Sequence, residues 1–273
     1  MLTSRIARRS DYRKVARLCR RSVGPRDYVL SELEEVIDDG RLFLAFEGKK
    51  LVGISHLTEL PDNSGWLGMA RTDPDWRGKG VAQFLQRKIA AYEKERGIKR
   101  LRMFILETNT SSIRSVLKGG FKPVCDVSYL SRRVKKAAKT KSIISGLPSI
   151  QSLPKSQYVS KLNGYFGYGW QILKAGQNVF KKILDNDSFY MGSGTTILFT
   201  RVKESQDNLQ AFTLLDGPVG NGLKHALEIG SRLDCKYVST FLPYDPRAIK
   251  IAKKLGFSQS SWGWHMIVFE KKI

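Results

Sequence analysis

The residues most suited to chemistry lie at Arg71-Thr72-Asp73-Pro74-Asp75-Trp76-Arg77-Gly78-Lys79-Gly80-Val81-Ala82. Trp66–Thr72 reads as a strand. After Gly80 the apolar residues Val81, Phe84, Leu85, Ile89 and Tyr92 fall at helical spacing, and Gly97 suits the end of that helix. A helix that begins directly after a glycine turn presents unpaired N–H groups and the positive end of its dipole. That arrangement binds phosphate, and Arg77 and Lys79 add full charges. The spacing is neither a P-loop nor a dinucleotide-binding fingerprint.

The surrounding elements must hold this turn in place. Residues 2–8 read as a strand, with Ser10 as helix cap and Tyr12, Val15, Leu18 and Cys19 on one helical face. The arginines at 5, 8, 9, 13 and 17 then belong to the outer side of the fold rather than to a cleaved leader. A second helix starts near Ser31. Leu42–Phe46 and Leu51–Leu60 form a hairpin, Leu101–Leu106 a buried strand, Ser111–Lys118 a short helix and Phe121–Leu130 a returning strand. The order β-α-α-β-β-β-α-β-α-β predicts an α/β fold with a mixed sheet and helices on both faces.

From Arg132 to Lys141 there are six basic residues and no acidic one, and through residue 160 the composition is that of a linker. The expected division is a first domain over 1–133, a linker over 134–160 and a second domain over 161–273. Asn109 to Gly120-Phe121 recurs as Asp245 to Gly256-Phe257 at an offset of 136 residues. Each copy follows a strand and carries a short helix, which points to a duplicated half-domain. The second half has no Arg or Gln at the matching place ahead of its Gly217–Gly222 stretch, so one cofactor per chain is expected.

Arg77-Gly78-Lys79-Gly80-Val81-Ala82 resembles the Gln/Arg-x-x-Gly-x-Gly/Ala motif of the GCN5-related N-acetyltransferase (GNAT) family. Ala7–Asp11 with Val15 and Leu18 resembles its first strand-to-helix signature. Asn109, Ser112, Ile113 and Gly120-Phe121 resemble its later motif. The resemblance covers about residues 3–130 and implies the GNAT fold, with a degenerate GNAT-like second half. It implies acetyl-CoA as co-substrate, contacted by Ala70, Arg71, Thr72, Arg77, Gly78, Lys79, Gly80, Val81, Ala82, Asn109 and Ser112. A narrower resemblance, over Tyr28–Arg87 and Gly169-Trp170-Gln171, is to the histidine N-acetyltransferase group, which implies a free amino acid or small amine as acceptor.

Two positions depart from the family pattern: Gly68 stands where a Glu base is sought, and Val116 where a Tyr acid is sought. Glu59 and Tyr129 are the candidates to replace them, with Asp62 and His56 behind. The alternatives to a small-molecule enzyme are a non-catalytic CoA-binding module and a protein- or ribosome-associated acetyltransferase.

Composition sets the remaining expectations. The net charge is +22, from 47 Lys+Arg against 25 Asp+Glu. A field of that sign draws polyphosphates, and nucleic acid at most non-specifically. Cys19, Cys125 and Cys235 are scattered, and the three histidines have no ligand spacing with them. No disulfide framework and no metal site are expected, and a cytoplasmic, membrane-free location fits.

Overall fold

The computed structural model describes residues 1–135, 144–145, 149–184, 188–192, 194–201, 209–259 and 265–273. They form two compact units. The first comprises Met1–Met103, Thr110–Lys122 and Glu270–Ile273, and the second Phe104–Asn109 and Pro123–Phe269. The borders differ from the division drawn on the sequence, because Pro123–Arg133 groups with the second unit and the last four residues with the first.

The first unit contains β1 (Leu2–Ile6), α1 (Tyr12–Ser22), α2 (Val29–Asp38), β2 (Leu42–Glu47), β3 (Lys50–Leu60), β4 (Ser64–Thr72), α3 (Val81–Glu95), the start of β5 (Arg100–Leu106) and α4 (Thr110–Lys118). Its strands lie in the order β1-β2-β3-β4-β5. All neighbours are antiparallel except β4 and β5. Helices α1 and α2 bury Val15, Leu18, Cys19, Leu33, Val36 and Ile37 against Leu42, Leu44 and Ile54. Helix α3 buries Val81, Leu85 and Ile89 on the opposite face, each contributing about 1.5–3 kcal/mol of apolar burial. Gly53 of β3 allows that approach, since a Cβ there would stand 2.5 Å from Val81 Cγ1.

Ser10 does not cap α1. A single 3-10 turn over Arg9–Asp11 precedes the helix. Buried Asp11 accepts the Arg8 backbone N–H at 2.9 Å and both Arg5 guanidinium nitrogens at 2.6 and 2.7 Å. Arg9 pairs with Asp38. Arg5 and Arg9 are thus fastened to the fold.

The second unit contains β6 (Lys122–Arg133), β7 (Ile144–Ser145), α5 (Gln157–Lys161), β8 (Tyr165–Tyr168), β9 (Gln171–Lys174), α6 (Gln177–Leu184), β10 (Ser188–Gly192), β11 (Thr195–Arg201), β12 (Leu209–Asp216), α7 (Val219–Arg232), β13 (Tyr237–Pro243), α8 (Pro246–Lys254), β14 (Ser258–Gln259) and most of β15 (Met266–Lys272). Its sheet runs β15-β6-β13-β12-β11-β10-β7, with β12 and β13 parallel. The end of the expected linker is folded: Leu153, Ser156, Tyr158 and Val159 are buried. The basic run is divided. Arg132 and Arg133 close β6, and residues 136–141 lie outside the described residues.

The offset of 136 reappears in the coordinates. Helices α4 and α8 have bounds separated by that number at both ends. Each ends on a glycine of positive φ, Gly120 at 83° and Gly256 at 74°. The next residue closes the same turn, Phe121 N–H to Val116 O at 3.1 Å and Phe257 N–H to Ala252 O at 3.0 Å.

Candidate functional site

The glycine turn forms as the sequence requires. Strand β4 runs into a 3-10 turn at Pro74–Trp76, whose cap Asp73 accepts the Asp75 N–H at 3.0 Å. Gly78 and Gly80 both lie in the left-handed region, at φ 75° and 76°, where any other residue is strained. Gly80 is the residue on which α3 begins, and its carbonyl accepts the Phe84 N–H at 2.9 Å. The N–H groups of Val81, Ala82 and Gln83 therefore have no intrahelical acceptor. The tip of the turn, Arg77–Lys79, is exposed.

Several bonds tie this turn to α1. The Ser22 hydroxyl donates to Thr72 O at 2.9 Å, and the Arg77 guanidinium to Ser22 O at 2.7 Å. Buried Asp73 is met by Arg21 at 3.3 Å and Lys50 at 3.6 Å. The Lys79 ammonium lies 4.9 Å from the centre of the Trp76 ring. Arg77 thus spends part of its hydrogen-bonding capacity on the end of α1. Gln83 of α3 donates to Ser115 O at 3.5 Å, which sets α4, and with it Ser112, alongside the first turn of α3.

Strand β4 offers an open edge beside this turn. It pairs with β5 only at Gly65 with Leu101 and at Trp66 with Arg102. From Leu67 to Thr72 it has no partner strand on that side among the described residues. A bulge falls in the same stretch. The register with β3 shifts between Ile54 and His56, and Met69 adopts φ 52°. An exposed run of backbone N–H and C=O groups accepts an extended, amide-bearing chain as it would accept a strand. N–H groups without an intrahelical acceptor thus lie at one end of a strand-like edge.

Of the residues expected at the cofactor, Ala70–Thr72, Arg77–Ala82 and Ser112 fall together in the first unit, and Asn109 falls in the second. The Arg71 side chain has another partner. Its Nε and Nη2 donate to the two oxygens of buried Asp27 at 2.7 and 2.6 Å, and its guanidinium lies 5.2 Å from the Tyr28 ring centre. It clamps the loop between α1 and α2 to β4. Burial, the largest single influence, lowers the Arg71 pKa, but the bond to Asp27 and the nearby Tyr28, Asp27 and Cys19 charges together outweigh it and raise it.

The two replacement candidates are engaged elsewhere. Glu59 accepts from Arg96 at 2.9 Å and stands 3.7 Å from Arg41. It lies opposite Gly65, whereas Gly53 lies opposite Thr72. Six strand residues therefore separate it from the turn end of β4, about 20 Å. Tyr129 is buried in the second unit, 4.7 Å from the Trp170 ring and 5.1 Å from that of Phe241. Burial pushes its phenol well above the ordinary value, only partly offset by a bond with Ser239. Asp62 is held by Arg102 and Ser64. Val116 is buried, so the expected acid position is apolar.

In the second unit the equivalent cleft is filled by the chain itself. Strands β12 and β13 pair from Leu209 with Tyr237 to Phe212 with Thr240, and then part. At the parting the Thr213 hydroxyl donates to Gly167 O of β8, and a Cβ on Gly167 would stand 3.0 Å from Phe241 Cβ. At the turn before α7, Tyr158 OH donates to Gly217 O at 2.9 Å and Gln157 N–H to Asp216 at 2.7 Å. A Cβ on Gly217 would stand 2.2 Å from Gly194 O. Among the described residues no cluster could hold a metal ion and no helix is long and apolar enough to cross a membrane. Cys19, Cys125 and Cys235 are buried free thiols.

Comparison with known proteins bears on the fold. Residues 10–121 match the acetyltransferase (GNAT) family model. A mycothiol acetyltransferase of Geodermatophilus obscurus is 29% identical over 115 residues, a match covering 39% of this chain and 37% of that protein. The match thus spans little more than a third of that relative. Among solved structures, a GCN5-related N-acetyltransferase from Sphaerobacter thermophilus aligns with TM-score 0.63 at 13% identity, covering 99% of this chain and 95% of the other. A tandem GNAT protein from the clavulanic acid biosynthesis pathway aligns with TM-score 0.56 at 13% identity, covering 100% and 98%. The fold is a mixed α/β GNAT fold, and likeness over the whole length to a tandem protein fits two GNAT-like halves.

Proposed function

We propose that this protein is an acetyl-CoA-dependent N-acetyltransferase whose acceptor is the primary amine of a small molecule or amino acid. The observation that carries the reading is the exposed Gly78–Gly80 turn at the start of α3, continuous with the open edge of β4. The first-turn N–H groups of α3, with Lys79 and the remaining donors of Arg77, would hold the pyrophosphate. The backbone of Ala70–Thr72 would hold the extended arm, and Ser112 would complete the contacts from the first unit. When bound, the thioester supplies an activated acyl group, and the protein's part is to place an amine against it. Positioning alone can supply much of the rate.

The second half is read as a degenerate copy without a cofactor. Within the second unit, the contacts of Tyr158 with Gly217 and of Gly167 with Thr213 at the parting of β12 and β13 support one acyl-CoA per chain. The experiment is release of free thiol from acetyl-CoA against a panel of free amino acids, polyamines and peptides. Turnover with a small amine supports the reading. Binding of acetyl-CoA without turnover on any member of the panel would favour a non-catalytic CoA-binding module.

A further inference from the structure

Strand β4 carries no carboxylate at the open bulge, yet an amine at neutral pH must lose a proton before it can attack a thioester. His56, on the neighbouring strand β3, lies directly opposite Gly68. Directly opposed antiparallel residues direct their side chains to the same face. Among the described residues a Cβ on Gly68 would meet nothing within 4 Å, so that face is open beside the imidazole. His56 Nε2 lies 2.9 Å from Asp39 Oδ2 at the end of α2. Asp39 also accepts from Arg41 at 2.7 and 3.1 Å, and is therefore an acceptor toward His56 as well. This fixes the tautomer: Nε2 carries the hydrogen, and Nδ1 keeps its lone pair. Nδ1 makes no hydrogen bond among the described residues. An imidazole held by a carboxylate at one nitrogen and free at the other is the arrangement that makes histidine a base.

We propose that His56 is the general base of acyl transfer and that Asp39 is its positioning residue. The proposal rests on the acetyltransferase reading above. The acceptor ammonium gives one proton to His56 Nδ1. The freed nitrogen lone pair then bonds to the thioester carbon as the C–S bond breaks. The second proton of that nitrogen passes to the departing thiolate, giving CoA thiol, and His56 returns its proton to water. The charged groups facing His56 agree with this role. Burial lowers its pKa first. Asp39 pulls it back up, Arg41 lowers it slightly, and Arg41 is itself shared with Glu59. The net direction is downward, so the imidazole is neutral and ready to accept at neutral pH.

The test uses the full-length protein, acetyl-CoA, and whichever panel amine turns over fastest. In the unmodified protein kcat should show an acid limb with its inflection below the ordinary histidine value of about 6.5. The variant His56→Gln, checked for an unchanged melting profile, should lose that limb and about 10²–10⁴-fold in kcat. It should bind acetyl-CoA in calorimetry as the unmodified protein does. Asp39→Asn should move the limb with a smaller loss. Either a flat profile in the unmodified protein or a His56→Gln variant retaining both rate and limb would overturn the proposal. The first measurement needs no variant to fold. Failure of the unmodified protein to bind acetyl-CoA or turn over any amine would instead overturn the acetyltransferase reading.

Discussion

Arg71 shows how a side chain can sit in the right stretch of sequence and still do different work. A contact with the cofactor is expected from its place beside the turn, but its guanidinium is spent on Asp27, 44 residues earlier. Arg71→Lys keeps the charge but not the paired geometry, since lysine cannot form the two-pronged bond. Calorimetry on this variant should show acetyl-CoA affinity close to that of the unmodified protein, alongside a lower melting temperature. A large loss of affinity at unchanged stability would restore Arg71 as a direct cofactor contact. Side-chain partners such as Asp27 with Arg71, or His56 with Asp39, were not legible in the sequence, because the packing of α1 and α2 onto the sheet brings a loop or helix end against a strand and no local spacing records it. The glycines at 78 and 80 were legible, because their demand is on the backbone itself.

At the scale of elements, α3 does two things. Its first turn presents N–H groups, and its last turn buries Glu93, neither of whose carboxylate oxygens has a hydrogen-bond partner. Burial and the nearby Glu59 push this carboxyl up to about 6. An acid whose pKa is raised on folding stabilises the fold below its unfolded value, and that contribution is lost as pH rises through about 6. Glu93→Gln should therefore raise the melting temperature at pH 8, with the gain fading below about pH 5; a gain independent of pH would contradict this account. Glu270 in the last strand has the opposite sign. Burial would raise it, but Arg100 and Arg102 outweigh that and hold it below the usual range. Its stabilisation is complete above about pH 4.3 and is lost as pH falls further. Arg102 is fully buried between Asp62 and Glu270, and Arg102→Met should cost about 3–5 kcal/mol in denaturant titration, because buried Asp62 loses its cation and Glu270 keeps only Arg100. The order of elements in the first unit was legible from periodicity. The edge that β4 leaves open was not, since nothing in its composition marks where β5 stops pairing.

At the scale of the whole molecule, the offset of 136 residues is legible in the sequence, because helix, glycine and phenylalanine keep their spacing in both copies. What fills the second copy was not visible, because residues 149–161 have a linker's composition and yet bury Leu153, Tyr158 and Val159. The net charge of +22 should give salt-sensitive retention on nucleic acid, as counterion release requires. Replacing Lys135, Lys136, Lys139 and Lys141 with Gln should weaken only that low-salt component in gel-shift series and leave acetyl transfer intact. The most direct test of the central claim is calorimetric titration of acetyl-CoA into the unmodified protein and into a folded Gly80→Asp variant. The account predicts one equivalent bound by the first and none by the second, because the new carboxylate would face the phosphates at a position that also demands glycine. Two equivalents in the unmodified protein, or one remaining in the variant, would contradict it.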